Sequence, residues 1–127
     1  MSAKYFWWTC LFASIVVVAL TASTWGLDPD QPSSARQSVR VVAERFSFTP
    51  SEIKVKRNVP LELELISEDT FHGFRISAAH LNVTIPARGR GSVKIRFEAS
   101  EAGTYVFECS RPCGAGHTMM RGAIIVD

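Results

Sequence analysis

Leu61-Glu-Leu-Glu-Leu65 decides the fold class of this 127-residue chain. Side chains alternate faces along a strand, so this spacing sets three leucines on one side and Glu62 and Glu64 on the other, the mark of a half-buried antiparallel strand. Val93-Lys-Ile-Arg-Phe97 repeats the arrangement with Lys94 and Arg96 outward. Around these two runs, short β-branched and aromatic stretches predict strands at Val39–Phe46, Ile53–Lys56, Phe74–Ser77, Asn82–Ile85, Thr104–Cys109 and Ala123–Val126. Breaks at Pro50, Asn58-Val-Pro60, Pro86, Gly89-Arg-Gly91 and Gly103 separate them. No stretch after Leu27 sustains a helical period. Seven or eight short strands within about 90 residues predict an all-β domain over 39–127, a β-sandwich of two packed sheets with Greek-key connections.

Outward from that domain towards the N-terminus, residues 28–38 (DPDQPSSARQS) carry two prolines and three serines with no apolar period, and read as a flexible linker. Before it, Tyr5 to Leu27 contains no charged residue. As a helix this run spans roughly 34 Å, against about 30 Å of bilayer hydrocarbon, so residues 1–27 are expected to form one transmembrane anchor. Lys4 before the run and Asp28 and Asp30 after it place the N-terminus in the cytoplasm and the domain outside. Tyr5, Trp7, Trp8 and Trp25 stand where interfacial aromatics belong. The alternative is a cleaved signal peptide with small residues at Ala19, Ala22 and Ser23. Both readings export the domain.

The formal charge of +2 is spread through interleaved acidic and basic residues, with no block that would recruit nucleic acid. Roughly 100 residues beyond the apolar run supply one modest core, which excludes a multi-domain enzyme.

The chemistry concentrates in Cys109-Ser-Arg-Pro-Cys113-Gly-Ala-Gly-His117-Thr-Met-Met120, between the last two predicted strands. Two thiols, an imidazole and a thioether without a carboxylate form a soft ligand set that points to copper. Gly114 and Gly116 let a short segment wrap a small ion. Pro112 biases Arg111 to an extended conformation and leaves its carbonyl free to aim inward. Met120, three residues beyond His117, has the better spacing for the thioether role; Met119 then faces a core or a partner. One nitrogen donor is missing from the loop, and His72, at the start of a strand after the polar break Ser67-Glu-Asp-Thr70, is the candidate. His80 has no such context and reads as a surface residue. Cys10 lies in the apolar run, so a Cys109–Cys113 disulfide is the remaining alternative to metal. No substrate pocket, general base or nucleophile is evident.

Ser67-Glu-Asp-Thr-Phe-His72-Gly-Phe, Leu81-Asn-Val-Thr-Ile-Pro86, Gly103-Thr-Tyr105 and Cys109-x-x-x-Cys113-Gly-x-x-His117-x-x-Met120 together resemble the periplasmic domain of subunit II of haem-copper cytochrome c oxidases. That domain is a cupredoxin-like sandwich carrying the dinuclear copper centre CuA. The CuA domain of nitrous oxide reductase has a similar loop. The resemblance runs in order over Val39 to Asp127. It implies two copper ions per chain, bridged by Cys109 and Cys113, with nitrogens from His72 and His117, the Met120 thioether and the Arg111 backbone carbonyl. It further implies a non-catalytic electron-entry subunit in a bacterial inner membrane, with its domain on the periplasmic side. Cytochrome c or a cupredoxin would be the donor and a haem-bearing subunit I the acceptor. A free-standing, membrane-tethered electron carrier or copper-handling protein is the alternative. A mononuclear blue site built from His72, Cys113, His117 and Met120 is another, but it leaves Cys109 without a task.

Two departures stand out. The family often has Glu at position 111, where it serves a magnesium site; arginine, a permanent cation, cannot. The family's electron-entry tryptophan has no counterpart after Trp25, so Phe71 or another loop aromatic must line the entry face.

Overall fold

The computed structural model describes residues 36–127. The expected anchor at 1–27, and the linker up to residue 35, lie outside the described residues. Among the described residues no helix is long and apolar enough to cross a membrane.

The alternating run becomes β4 (Leu61–Ser67), whose leucines are all fully buried while Glu62 and Glu64 are half-exposed. Burying three leucine side chains contributes about 1.5–3 kcal/mol each, which fixes the strand's facing. β7 (Val93–Phe97) pairs with it antiparallel, setting Glu62 opposite Arg96 and Glu64 opposite Lys94 on the outer face. On its other edge β4 runs parallel to β1 (Gln37–Glu44), so the purely antiparallel expectation is corrected to a mixed sheet. β1 starts two residues before Val39, because Gln37 and Ser38 pair with Leu61 and Glu62. It also ends earlier than predicted: the chain turns at Arg45 and Phe46 and returns as β2 (Ser47–Thr49), antiparallel to β1.

The first sheet is therefore ordered β2-β1-β4-β7. Past Pro50 the chain crosses to the second sheet as β3 (Glu52–Val55), an edge strand parallel to β9 (Arg121–Val126). That sheet continues through β8 (Gly103–Glu108), β5 (His72–Ile76) and β6 (Leu81–Ile85) in the order β3-β9-β8-β5-β6. The only helical pieces among the described residues are 3₁₀ turns at Ser77–Ala79 and His117–Met119. His80 ends the first turn in the left-handed conformation, φ +52°, and is exposed.

Both sheets contribute to one core. Phe48 of β2, Phe74 of β5 and Phe107 of β8 form a buried trio with ring centroids 4.9 to 5.6 Å apart. Two of the contacts are edge-on and the third is stacked, arrangements that add to the burial of the rings. Phe107 also lies against Gly122, where a Cβ would collide with the ring.

Removing Phe107 (Phe107→Ala) is expected to lower stability by about 3–5 kcal/mol in urea unfolding, because the cavity opens between both sheets. Arg40→Ala, which removes an exposed 2.9 Å ion pair with Glu64, is expected to cost less than about 1 kcal/mol.

Candidate metal centre

β8 and β9 form a hairpin whose ladder ends at Glu108 opposite Arg121. One further hydrogen bond, from the Cys109 N–H to the Met120 carbonyl at 3.0 Å, closes the neck of the loop between them. Inside, His117 N–H donates to the Gly114 carbonyl at 3.1 Å and Met120 N–H to the His117 carbonyl at 3.3 Å. This tight turn folds His117 and Met120 back over Cys113. The Cys113 sulfur then lies 3.8 Å from His117 Nδ1 and 3.9 Å from the Met120 sulfur.

Cys109 Sγ is 3.8 Å from Cys113 Sγ, 3.1 Å from the Arg111 carbonyl oxygen and 3.9 Å from Nδ1 of His72. His72 arrives from the neighbouring strand of the same sheet, as the first residue of β5 next to β8. All six residues singled out from the sequence thus converge. His72 and Met120 are 0% and 1% exposed and each cysteine 5%, while His117 is partly exposed. Both thiols are free, not a disulfide. Met119 is 76% exposed and His80 takes no part.

The donors fit copper by their chemistry. Two sulfurs, each with its own imidazole nitrogen, a thioether and a carbonyl give soft and borderline ligands with no carboxylate among them. Burial, then the hydrogen bond and charge of Cys109, push the Cys113 thiol up to about 11, so without a metal Cys113 stays a thiol at neutral pH.

Three residues outside the sequence-derived set hold these donors in place. Asp69 Oδ1 is 2.7 Å from His72 Nε2. Burial opposes ionisation of Asp69, but the hydrogen bonds from His72 and from the Arg45 and Thr70 backbones outweigh it and hold the carboxyl at about 2. An ionised carboxylate only accepts, so Nε2 carries the hydrogen and Nδ1 presents its lone pair to the sulfur side. Arg45 donates from its backbone to Asp69 at 3.0 Å and from Nε to the Cys113 carbonyl at 2.7 Å. Phe46 lays its ring on Gly114 and Gly116, where any Cβ would strike it. Asp69 had a signal, since it sits in the polar turn just before His72. Arg45 and Phe46 had none, being 68 residues from the loop in the Arg45–Cys113 case and brought there only by the β1–β2 turn.

The model of the cupredoxin-like domain family matches residues 12–126. Cytochrome c oxidase subunit 2 of Thermus thermophilus, in two forms, is 29% identical over 96 residues, which is 76% of this chain and 70% and 56% of those proteins. The periplasmic domain of subunit II of the Bradyrhizobium japonicum cytochrome oxidase superposes with a TM-score of 0.65 at 19% identity, covering 72% of this chain and 83% of that one. A chain of a haem-copper terminal oxidase dimer superposes at 0.60 and 29% identity, covering 72% of this chain and 65% of its own.

The approach of β5 to the loop is testable without metal. A Cβ on Gly73 would lie 2.7 and 2.8 Å from the backbone nitrogens of Ser110 and Arg111 and would collide with the Ser110 hydroxyl. Gly73→Ala is expected to destabilise the metal-free protein by about 1–3 kcal/mol, read as a lowered melting temperature, because backbone cannot swing aside as a side chain does.

Proposed function

The chain belongs to the cupredoxin-like domain family, and from that premise we propose that it is the electron-entry subunit II of a haem-copper cytochrome c oxidase, passing single electrons through two copper ions. The observation that carries this reading is the doubled donor set. Two free buried thiols stand 3.8 Å apart, each with its own imidazole nitrogen at 3.9 and 3.8 Å. A mononuclear site would leave one thiol and one imidazole idle. The match to subunit 2 over 96 residues favours an oxidase over a free-standing carrier.

Cys109, Cys113, His72, His117, Met120 and the Arg111 carbonyl would hold the ions. A copper pair bound this way supplies one-electron storage, with the change of charge spread over both metals and both sulfurs. The chain's own residues supply the stillness that rapid transfer requires. Asp69 fixes the ring plane and tautomer of His72, and Arg45 pins the carbonyl of Cys113. The closed neck holds Met120, and burial of four of the six donor residues, His72, Cys109, Cys113 and Met120, excludes water from the sulfurs. Partly exposed His117 is the donor that communicates with the surface. Within the same reading, residues 1–27 anchor the chain in a bacterial inner membrane, residues 28–38 tether it and the domain works on the periplasmic side. Cytochrome c or a cupredoxin gives the electron, and a haem-bearing subunit I receives it.

The full-length chain loaded with copper is expected to hold about two ions and to show a purple colour with a multi-line hyperfine pattern in electron paramagnetic resonance. Cys109→Ser should turn purple to blue. A single copper per wild-type chain sinks the proposal, and absence of a co-purifying haem subunit from native membranes would move it to a free-standing carrier. Asp69→Asn, which keeps the shape but loses the anionic acceptor, is expected to weaken copper affinity about 10–100-fold in a chelator competition.

A further inference from the structure

Four large apolar side chains are conspicuously exposed among the described residues: Phe46, Phe71, Val106 and Met119. Three of them, all but Val106, sit on the loops at the metal-centre end. Phe46 covers the glycines of the cysteine loop, Met119 stands in its 3₁₀ turn at 76% exposure, and Phe71 precedes His72 at 44%. Single exposed apolar residues are ordinary; three on the loops of one end, around one buried centre, are not.

The charges on the loops around these residues are mostly of one sign. The loop segments at this end, 45–46, 68–72, 86–92 and 110–121, contain Arg45, Arg88, Arg90, Arg111 and Arg121, and only Glu68 and Asp69 as acids. Both acids are already engaged: Glu68 faces Arg88 at 3.5 Å, and Asp69 is held by His72 and Arg45. Arg90 lies over the Phe71 ring at 6.0 Å, and Arg111 lines the cleft that Phe71 shares with Pro112. Arg121 reaches back to the Thr118 carbonyl. The outer face of the first sheet is different, because Arg36, Arg40 and Arg96 each face an acid there, Glu62, Glu64 and Glu98. At the metal-centre end Arg90, Arg111 and Arg121 have no acidic partner among the described residues.

We propose that this end is the docking surface for a soluble electron-donor protein whose own docking face is acidic around an apolar centre. The identity of the partner as a redox donor rests on the function proposed above; the sign of its face rests on the arginines alone. An apolar centre lets the two redox groups approach without trapped water, while the surrounding charge steers the encounter and lets the complex separate. A basic donor meets the like charge of Arg90, Arg111 and Arg121.

The test uses one haem protein in two charge states: mitochondrial cytochrome c, which is basic, and the same protein with its lysines succinylated, which is acidic. Binding to the full-length chain in detergent is measured by analytical ultracentrifugation, both metal-free and copper-loaded, across ionic strength. The acidic form is expected to bind at least about tenfold more tightly than the basic form at low salt, and to lose at least about tenfold in affinity by physiological salt. The double variant Arg90→Glu/Arg121→Glu should abolish that preference, whereas Arg40→Glu/Arg96→Glu, on the first sheet's outer face, should keep it. Tighter binding of the basic form, binding indifferent to salt, or equal loss in both double variants overturns the proposal. So does recovery of the acidic preference only on anionic vesicles added in place of protein. Because binding is read without metal, an acidic preference in a chain that fails to load two coppers would defeat the proposed function and leave the surface standing. Normal copper loading without the preference would do the reverse.

Discussion

The N–H of Cys109 meets the carbonyl of Met120 at 3.0 Å, and the site depends on that closure. It is one rung beyond the regular β8–β9 ladder, so the hairpin's register dictates where the cysteine loop begins and ends. With the neck fixed, only a short stretch of chain remains to carry Cys113, His117 and Met120. The 3₁₀ turn then consumes the slack, stacking His117 and Met120 over one sulfur. A looser neck would leave the same residues present and their donors unassembled. The rigid part of the hairpin, anchored by Phe107 and Ile124 in the core, is what turns a ligand list into a site.

Much of this was legible from residue order because it is local or periodic. The leucines of β4 alternate without exception, and their burial follows. Five of the six donors fall within twelve consecutive residues, so their convergence needs no long-range information beyond a turn. His72 was the harder case, and its position at a strand start after a polar break was enough to find it. What could not be read is non-local. The parallel pairing of β1 with β4 requires that the chain visit the second sheet between them, and no side-chain pattern encodes that visit. The short return of β2 was hidden for the same reason: Arg45 and Phe46 sit inside an unbroken β-prone run, yet the chain reverses there. The placement of both residues on the cysteine loop follows from that reversal.

Position 111 shows how backbone and side chain answer to different demands. The backbone is constrained, since Pro112 follows it and its carbonyl lies 3.1 Å from the Cys109 sulfur. The side chain is exposed and meets only the outside. An arginine at such a place leaves the interior donor untouched and sets what the surface attracts.

Asp69 joins these layers. Its carboxylate accepts from the ring nitrogen of His72 at 2.7 Å and from the backbone of Arg45 at 3.0 Å, and the same arginine holds the Cys113 carbonyl. Ser67, buried at the end of β4, in turn stabilises the turn around Asp69 by donating to the Thr70 carbonyl at 2.6 Å. One anion therefore ties the β1–β2 turn, the β4–β5 loop and, through Arg45, the cysteine loop. Every buried side-chain nitrogen and oxygen among the described residues has a partner, so this polar knot is fully satisfied and resists rearrangement. That explains why a site whose donors come almost wholly from one hairpin still needs both sheets: the hairpin gathers the sulfurs, and the other sheet's loops stop them from moving.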